Sequence, residues 1–256
     1  MLTRSQIQRL AQRHGIGVQA QERDYLQYLL LFSLYSKSQS LVFKGGTALR
    51  IVYKGNRYSE DLDFNGPTNI DSVKELWLEV LRDLHDFGVN AEIRYEWLSE
   101  VGYSFDVSYQ GPLYDGRDRT KGKVRVDIST RQEKVDTQRE LLTSEYDDIR
   151  PFVATVISPE HLLAEKVRAL LMRSKARDVY DIWLLTSKGV QLDRELVMKK
   201  LALYDLEISK DNLDAALQKA RRDWTQDLRP LLPQFVAWQD VIARVTPQLD
   251  AIALAR

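Results

Sequence analysis

Residues 41–50 read LVFKGGTALR, and residues 60–64 read EDLDF. The first run predicts a short apolar strand that leads through a glycine pair into a helix, which we place at 48–53. In the second run, residues two apart share one face of a strand, so Asp61 and Asp63 point the same way. The first run therefore predicts a strand–turn–helix unit, and the second predicts a further strand that carries paired acids.

The junction between that strand and helix is a candidate anion site. At Gly45 and Gly46, unpaired backbone N–H groups and the helix dipole favour a negative charge, and Thr47 adds a hydroxyl donor. Ser59 is two residues before Asp61, so in an extended strand it would face the same cleft as the two acids. The alternative is that Ser59 forms a turn. Taken alone, a strand–Gly-Gly–helix turn is more often only a turn, and this alternative stays open here.

The paired acids are candidate metal ligands. Two carboxylates in this arrangement can hold one or two divalent ions, and oxygen-only ligands suit Mg²⁺ or Mn²⁺. Asp127, on the polar side of the alternating run 123–129, offers a third carboxylate for a two-metal site, which clamps the attacking and leaving oxygens of a phosphoryl displacement. The alternatives are a solvated acidic strand end and, for Asp127, an ordinary ion pair with Arg125.

Basic residues offer a counterpart to these acids. Four of them would line one face of an extended strand, as a track for an acidic substrate or as a solvated face: Arg119, Lys121, Lys123 and Arg125. Lys166 flanks the buried stripe of a later helix, with Arg177 further along on the same side, and could clamp a phosphate. A lone lysine at this spacing is usually a surface residue.

The remaining pattern predicts an α+β fold. Helices are expected over 21–37 and 70–86, and three period-two runs, with the segment 153–157, predict strands of an antiparallel or mixed sheet: 91–97, 103–109 and 123–129. Ser158-Pro159-Glu160 is a strong helix start, and about five helices with no convincing strand follow it. We therefore predict two domains, a mixed sheet with flanking helices over 1–157 and an all-helical half over 158–256.

Composition excludes several classes of protein. The 256 residues contain 37 basic and 37 acidic side chains and no cysteine, which excludes disulfides, thiolate zinc sites and cysteine nucleophiles. No apolar span is long enough to cross a bilayer and no secretory signal is seen, so we expect a cytoplasmic protein without a membrane partner. The zero net charge argues against binding nucleic acid by bulk attraction.

The motifs resemble the AbiEii-type nucleotidyltransferase toxins, a branch of the DNA polymerase β-like nucleotidyltransferases. The most specific matches are FKGGTALR at 43–50 and RYSEDLDF at 57–64. Three further matches follow in the family's order: VRVDI at 124–128, PEHLLAEK at 159–166 and RDVYD at 177–181. The resemblance covers about residues 41–185, over half of the chain. The wider superfamily usually has Gly-Ser where this chain has Gly46-Thr47.

This resemblance implies a toxin of a toxin–antitoxin or phage-defence system that transfers a nucleotide from an NTP, with Mg²⁺, to RNA, in some cases the 3′ end of tRNA. It also implies a cognate antitoxin. Carried over by position, the metal ligands are Asp61, Asp63 and Asp127, with Lys166 and Asp181 completing the catalytic set. The implied nucleotide-binding residues are Gly45, Gly46, Thr47, Arg57, Ser59, Lys166, Arg177 and Asp178. In this assignment Asp178 and Asp181 orient Lys166, Arg177 and the acceptor.

Two other functions stay open. The acceptor could be a protein side chain or a small alcohol, as in antibiotic-modifying relatives. The chain could also be a non-catalytic module that senses a nucleotide and binds a partner, although the full set of carboxylates, glycines and lysine argues against a degenerate site. No motif is readable over residues 190–256.

Overall fold

The computed structural model of the chain describes residues 1–254, and the chain divides into two compact units, Met1–Ile157 and Ser158–Arg256. The helices of the first unit are α1 (Arg4–His14), α2 (Val18–Lys37), α3 (Gly45–Ile51) and α4 (Ile70–Asp86). Its strands are β1 (Val42–Lys44), β2 (Asp61–Asn65), β3 (Asn90–Ser99), β4 (Gly102–Gln110), β5 (Gly122–Ser129), β6 (Thr137–Leu142) and β7 (Phe152–Ile157).

The strands of the first unit form a single mixed sheet, so the predicted α+β class is confirmed. Within its fully described residues 1–157, the seven strands run in the order β3-β4-β5-β2-β1-β7-β6. The pairs β2–β5 and β1–β7 are parallel, and the other neighbours are antiparallel. This topology puts β2, which carries the paired acids, at the centre of the sheet between β1 and β5.

One face of the sheet is packed into an apolar core. Leu62 and Phe64 of β2 and Phe105 of β4 have no exposed surface, and Trp77 of α4 packs edge-on against Phe105 with ring centroids 5.2 Å apart. Burial of each such side chain contributes about 2 kcal/mol to the stability of the fold. A shift of one residue would expose these side chains, so their burial fixes the register of the strands. The polar residues that alternate with them are thereby forced onto the opposite face, which we call the acid face.

Local sequence signals set the bounds of two helices in the first unit. Helix α4 covers 70–86 as predicted, and its first turn is capped by the Asn69 side chain, which accepts from the Ser72 N–H. Helix α1 ends at Gly15, whose left-handed φ of 63° suits a C-terminal cap. Side-chain capping and glycine conformation act locally, so the sequence carries these signals directly.

Two predicted features of the first unit are wrong or incomplete. Helix α3 begins at Gly45 rather than at residue 48, because the glycine pair forms its first turn. Strand β6 was not predicted: it is a polar edge strand, TQRELL, hydrogen-bonded to β7 alone, so it has no buried apolar stripe to mark it.

The described part of the second unit, residues 158–254, is helical, with five α-helices and no strand, as predicted. These helices are α5 (Pro159–Arg173), α6 (Ala176–Ser187), α7 (Arg194–Ala202), α8 (Lys210–Leu228) and α9 (Trp238–Leu254). Ser158 caps α5 by accepting the His161 N–H, which confirms the predicted start. A buried ion pair between Lys200 and Glu165, 3.1 Å, joins α7 to α5. Over residues 1–254, no helix combines the length and apolar character that a membrane span requires.

Candidate active site

The three predicted carboxylates occupy neighbouring strands on the acid face. In the parallel pair β2–β5, Asp63 lies directly opposite Asp127, and Asp61 lies opposite Arg125. Directly opposed residues share a face and adjacent strands are about 4.8 Å apart, so Asp63 and Asp127 are neighbours and Asp61 is one alternation away. The parallel register therefore brings together three acids that are up to 66 positions apart in the sequence.

The side chain of Asp127 makes defined contacts in this arrangement. Its Oδ1 accepts the Ser104 hydroxyl at 2.5 Å, and Arg125 Nε lies 3.5 Å from the same oxygen. Arg125 also reaches Asp106 of β4, with Nη1 3.4 Å from Oδ1. The ion pair with Arg125 that the sequence left open is therefore present, and it coexists with the alignment of Asp127 beside Asp63.

The donor set on the acid face suits a divalent metal. Over residues 1–254, no three acidic or histidine side chains converge on one point in their present rotamers. The three carboxylates are nevertheless partly exposed, they share a face, and they offer only oxygen, the donor that Mg²⁺ and Mn²⁺ prefer. By donor type and placement, the residues fit the metal that the sequence predicts.

The glycine pair makes room for residues of the acid face. Gly45 has a left-handed φ of 77°, and a Cβ built on it would stand 2.6 Å from the Asp63 carboxyl carbon. A Cβ on Gly46 would stand 2.7 Å from both Arg57 Nη2 and Ser59 Oγ. Both glycines are thus needed for close approach between the start of α3 and the segment that leads into β2. The structure brings five of the predicted site residues together here.

Thr47 has a structural contact that the sequence did not reveal. The residue is fully buried, and its hydroxyl donates a hydrogen bond to the main-chain carbonyl of Asp61. This bond fastens α3 to β2 and uses the hydroxyl proton that sequence reasoning offered to a triphosphate. The donors that remain for an anion at this turn are backbone N–H groups.

A buried polar network behind α3 was missed by the sequence analysis. Arg50 of α3 forms an ion pair with Asp24 of α2, Nε to Oδ1 3.2 Å, and its guanidinium lies 3.9 Å from the centre of the Tyr58 ring. Tyr146 donates a 2.7 Å hydrogen bond to the other oxygen of Asp24. Burial raises the pKa of Tyr58 to about 12, because the charged phenolate would lose its hydration. One sequence feature could have indicated this network: Asp24 lies inside the mostly buried helix that is predicted over 21–37.

Lys166 lies in the second unit, on α5, in a buried ionic cluster. Its Nζ is 2.7 Å from Asp181 Oδ2 and 3.9 Å from Asp178 Oδ1, both on α6. Arg173 donates two 2.8 Å hydrogen bonds to Asp178. Lys166 is only 6% exposed, so the alternative of an ordinary surface lysine is wrong. Arg177, one position before Asp178 on α6, is partly buried.

Removing the charge of Lys166 is expected to destabilise the protein. In Lys166→Met, Asp181, 1% exposed, loses the ammonium group that it contacts, which should lower the free energy of unfolding by about 3 kcal/mol. Urea denaturation followed by circular dichroism measures the loss. Lys199→Met is the matched control, because Lys199 pairs with Glu195 in solvent and should leave the transition in place. Equal losses in the two variants would contradict the structural role of Lys166.

The strand expected to carry all four basic residues of the run 119–125 begins only at Gly122. Arg119 belongs to a 3₁₀ turn, Asp118–Thr120, so the four residues do not form one extended strand. Lys121 pairs with Asp118 at 3.0 Å and Glu92 at 3.4 Å, and Lys123 pairs with Asp106 at 3.2 Å. These acids come from other strands and from a turn, and they neutralise most of the positive charge that the sequence alone suggested.

Comparison with known proteins identifies relatives over most of the chain. Residues 28–251 match the family model described as nucleotidyl transferase AbiEii toxin, type IV toxin–antitoxin system. The solved nucleotidyltransferase toxin MenT4 from Mycobacterium tuberculosis is 21% identical, with a TM-score of 0.72 over 100% of this chain and 91% of its own. JHP933 from Helicobacter pylori is 19% identical, with a TM-score of 0.63 over 93% of both chains. No curated protein sequence matches. These likenesses confirm the resemblance that the motifs predict.

Proposed function

Because the chain belongs to the AbiEii family of nucleotidyltransferase toxins, we propose that it transfers a nucleotide from an NTP to the 3′ end of an RNA, specifically a tRNA. The observation that carries this proposal is the alignment of Asp61, Asp63 and Asp127 on the acid face beside the Gly45–Gly46 turn. Oxygen ligands next to the N-terminal turn of a helix, where backbone N–H groups and the helix dipole favour an anion, suit a metal-bound triphosphate. In this proposal residues 1–157 form the catalytic domain.

Asp61, Asp63 and Asp127 would hold Mg²⁺, or Mn²⁺ in its place. When bound, such ions lower the pKa of the acceptor hydroxyl and neutralise the charge of the leaving pyrophosphate. Asp127 would be the ligand nearest the acceptor, since β5 is on the far side of β2 from the glycine turn. Ser104 orients Asp127 for that role through its 2.5 Å hydrogen bond.

The triphosphate would be bound by the segment around α3. Gly45 and Gly46 offer main-chain N–H groups, and Arg57 and Ser59, which flank Gly46, offer a guanidinium and a hydroxyl. From the family motifs, Lys166 and Arg177 are the further cations proposed for the triphosphate. The proposed role of Asp181 and Asp178 is to hold Lys166 in a fixed position, which agrees with the 2.7 Å and 3.9 Å contacts.

Transfer to a protein or small-molecule hydroxyl is the second candidate function. The specific observation in its favour is the neutralised charge at Lys121 and Lys123, which removes the basic track that an RNA backbone would follow. In either case the family implies a cognate antitoxin, and we place the activity in the cytoplasm, where an NTP and tRNA are both present.

The acceptor can be identified by labelling. The purified protein is incubated with Mg²⁺, total RNA and each α-³²P-labelled NTP in turn, and the products are resolved by size. We expect a labelled band at tRNA length, with one NTP preferred. Label on protein instead would favour the second candidate function, and label on neither polymer would require a screen of small alcohols.

A further inference from the structure

Strand β3, at one edge of the sheet, exposes unusually large side chains. Tyr95, Trp97 and Leu98 are 75%, 64% and 60% exposed. The other four tryptophans of the chain are all in helices, and Trp77 and Trp224 are buried. An exposed tryptophan is costly to leave in water, so its placement on the sheet is informative.

A β-bulge decides which way Trp97 points. Arg94 pairs with Asp106 of β4, but the next direct pair is Trp97 with Ser104, so two residues of β3 oppose Phe105 alone. The extra residue is accommodated at Tyr95, whose φ of 53° is left-handed, a conformation that costs a non-glycine residue about 1 kcal/mol. A strained bulge of this kind is a feature that re-aims a side chain.

Without the extra residue, Glu96 would pair with Ser104 and Trp97 would pair with Tyr103 on the core side. The observed contacts agree with the shifted register. Glu96 accepts the Tyr103 hydroxyl at 2.6 Å and lies 3.2 Å from Lys74 of α4, which places Glu96 on the core side. Trp97 consequently lies on the acid face.

Trp97 is in register with the carboxylates. The directly opposed residues run across four strands, from Trp97 through Ser104 and Asp127 to Asp63. Two strand spacings, roughly 10 Å, separate Trp97 from Asp127. Because this distance exceeds the roughly 3.4 Å rise between stacked nucleotides, an RNA whose end lies at Asp127 would reach the indole with an unstacked, splayed-out base.

We propose that Trp97 is a stacking platform for an unpaired nucleobase of the RNA acceptor. This inference rests on the proposed function, because it names a second contact of the same acceptor. Indole rings stack on any base, and in single-stranded RNA recognition such stacking fixes the strand without reading its sequence. In this proposal the bulge at Tyr95 presents the ring on the acid face, in the same row as Asp127.

The acceptor, rather than the NTP, is the source of this base. The glycine turn proposed for the triphosphate adjoins β1, on one side of β2, whereas Trp97 lies on the other side beyond β5 and β4. Ser104 and Asp127 lie between Trp97 and the glycine turn in the row of directly opposed residues. The two substrates therefore approach the carboxylates from opposite directions, and the β3 side is the acceptor side.

The test compares Trp97→Ala with Trp97→Phe and Leu98→Ala. Leu98 is the matched control, because it is as exposed as Trp97 but pairs with Tyr103 and so lies on the core side. We expect Trp97→Ala to raise the KM for tRNA about tenfold, with an unchanged KM for the NTP, and Trp97→Phe to recover most of the affinity. Leu98→Ala should behave as the wild type.

Binding is measured separately from catalysis, by fluorescence anisotropy of a 5′-fluorescein-labelled tRNA and of a labelled single-stranded RNA dodecamer. Weaker binding of both probes by Trp97→Ala supports the inference even if the wild-type protein labels no RNA, an outcome that would contradict only the proposed function. The inference is overturned if the wild-type protein labels tRNA and Trp97→Ala binds and labels it equally well. A raised KM for the NTP alone, or a changed elution volume that shows Trp97 joins two copies of the chain, would also overturn it.

Discussion

Replacing Asp63 with alanine is expected to reduce nucleotidyl transfer about a thousand-fold or more, equivalent to about 4 kcal/mol of transition-state stabilisation. Asp63 lies at the centre of the acid face, opposite Asp127 and against Gly45. Its loss would remove the carboxylate that is adjacent to both of the others, and a metal bound by the remaining two would be held weakly. The measurement is the initial rate of label transfer at saturating NTP.

Neutralising Asp63 should leave the protein folded. Asp63 and Asp127 are like charges on directly opposed residues, so neutralising one relieves repulsion in the sheet. We therefore expect the thermal midpoint of Asp63→Asn to equal or exceed that of the wild type, while activity is lost. Asp118→Ala is the control, since Asp118 is an exposed aspartate in a turn away from the carboxylate row. An Asp63→Ala variant that keeps more than a tenth of the wild-type rate would exclude the acid face as the catalytic site.

Gly45→Ala is expected to lower activity about a hundred-fold, although it removes none of the proposed metal ligands. The new Cβ would stand 2.6 Å from the Asp63 carboxyl carbon, so the carboxylate must move or α3 must shift. The backbone φ of 77° adds strain of about 1 kcal/mol for any residue with a side chain. Both effects displace Asp63, and the geometry of a metal site tolerates little displacement.

Gly116→Ala separates steric overlap from backbone strain. Gly116 has a φ of 93°, but a Cβ built on it meets no atom within 4 Å. Chemical denaturation should show a loss of about 1 kcal/mol in Gly116→Ala from backbone strain alone and a larger loss in Gly45→Ala, where overlap adds to the strain. Only Gly45→Ala should lose label transfer. If Gly45→Ala retained full activity, the close approach of the glycine to Asp63 would have no functional meaning.

The parts of the fold that the sequence predicted are those encoded by local patterns. The period-two run at 103–109 and the helical period at 70–86 follow from which side of each element is buried, and both are observed. The alternation of Asp61 and Asp63 with apolar residues likewise predicted their common face. The glycine pair predicted an anion site at the helix start, but not the close approach of the two glycines to Asp63, Arg57 and Ser59.

The parts that escaped prediction depend on pairing between distant segments. The polar edge strand β6 is defined by its partner β7, and the neutralisation of Lys123 requires Asp106 from the neighbouring strand. The bulge at Tyr95 is likewise visible only once the register with β4 is known. Each of these pairings depends on a register between two strands, which the alternation within one strand does not specify.

Buried charges form a second group that the sequence does not resolve. Asp24 and Lys166 each lie in a helical pattern with apolar neighbours. In such a pattern, a charged residue predicts a solvent-exposed position at the border of the buried face. Their burial is tolerated because Arg50 and Asp181, distant in sequence, provide opposite charges at 3.2 Å and 2.7 Å. For Lys166 the motif resemblance indicated a role that the helical pattern alone did not.

The most direct test of nucleotidyl transfer at the acid face compares two positions of the label. Wild-type protein is incubated with Mg²⁺, total RNA and the preferred NTP, labelled with ³²P at the α-phosphate in one reaction and at the γ-phosphate in the other. We expect RNA to acquire the α label, with the γ label released as pyrophosphate, and Asp63→Ala to acquire neither. Transfer of the γ label to RNA would contradict nucleotidyl transfer. Transfer of the α label by Asp63→Ala at the wild-type rate would contradict the placement of the reaction at the acid face.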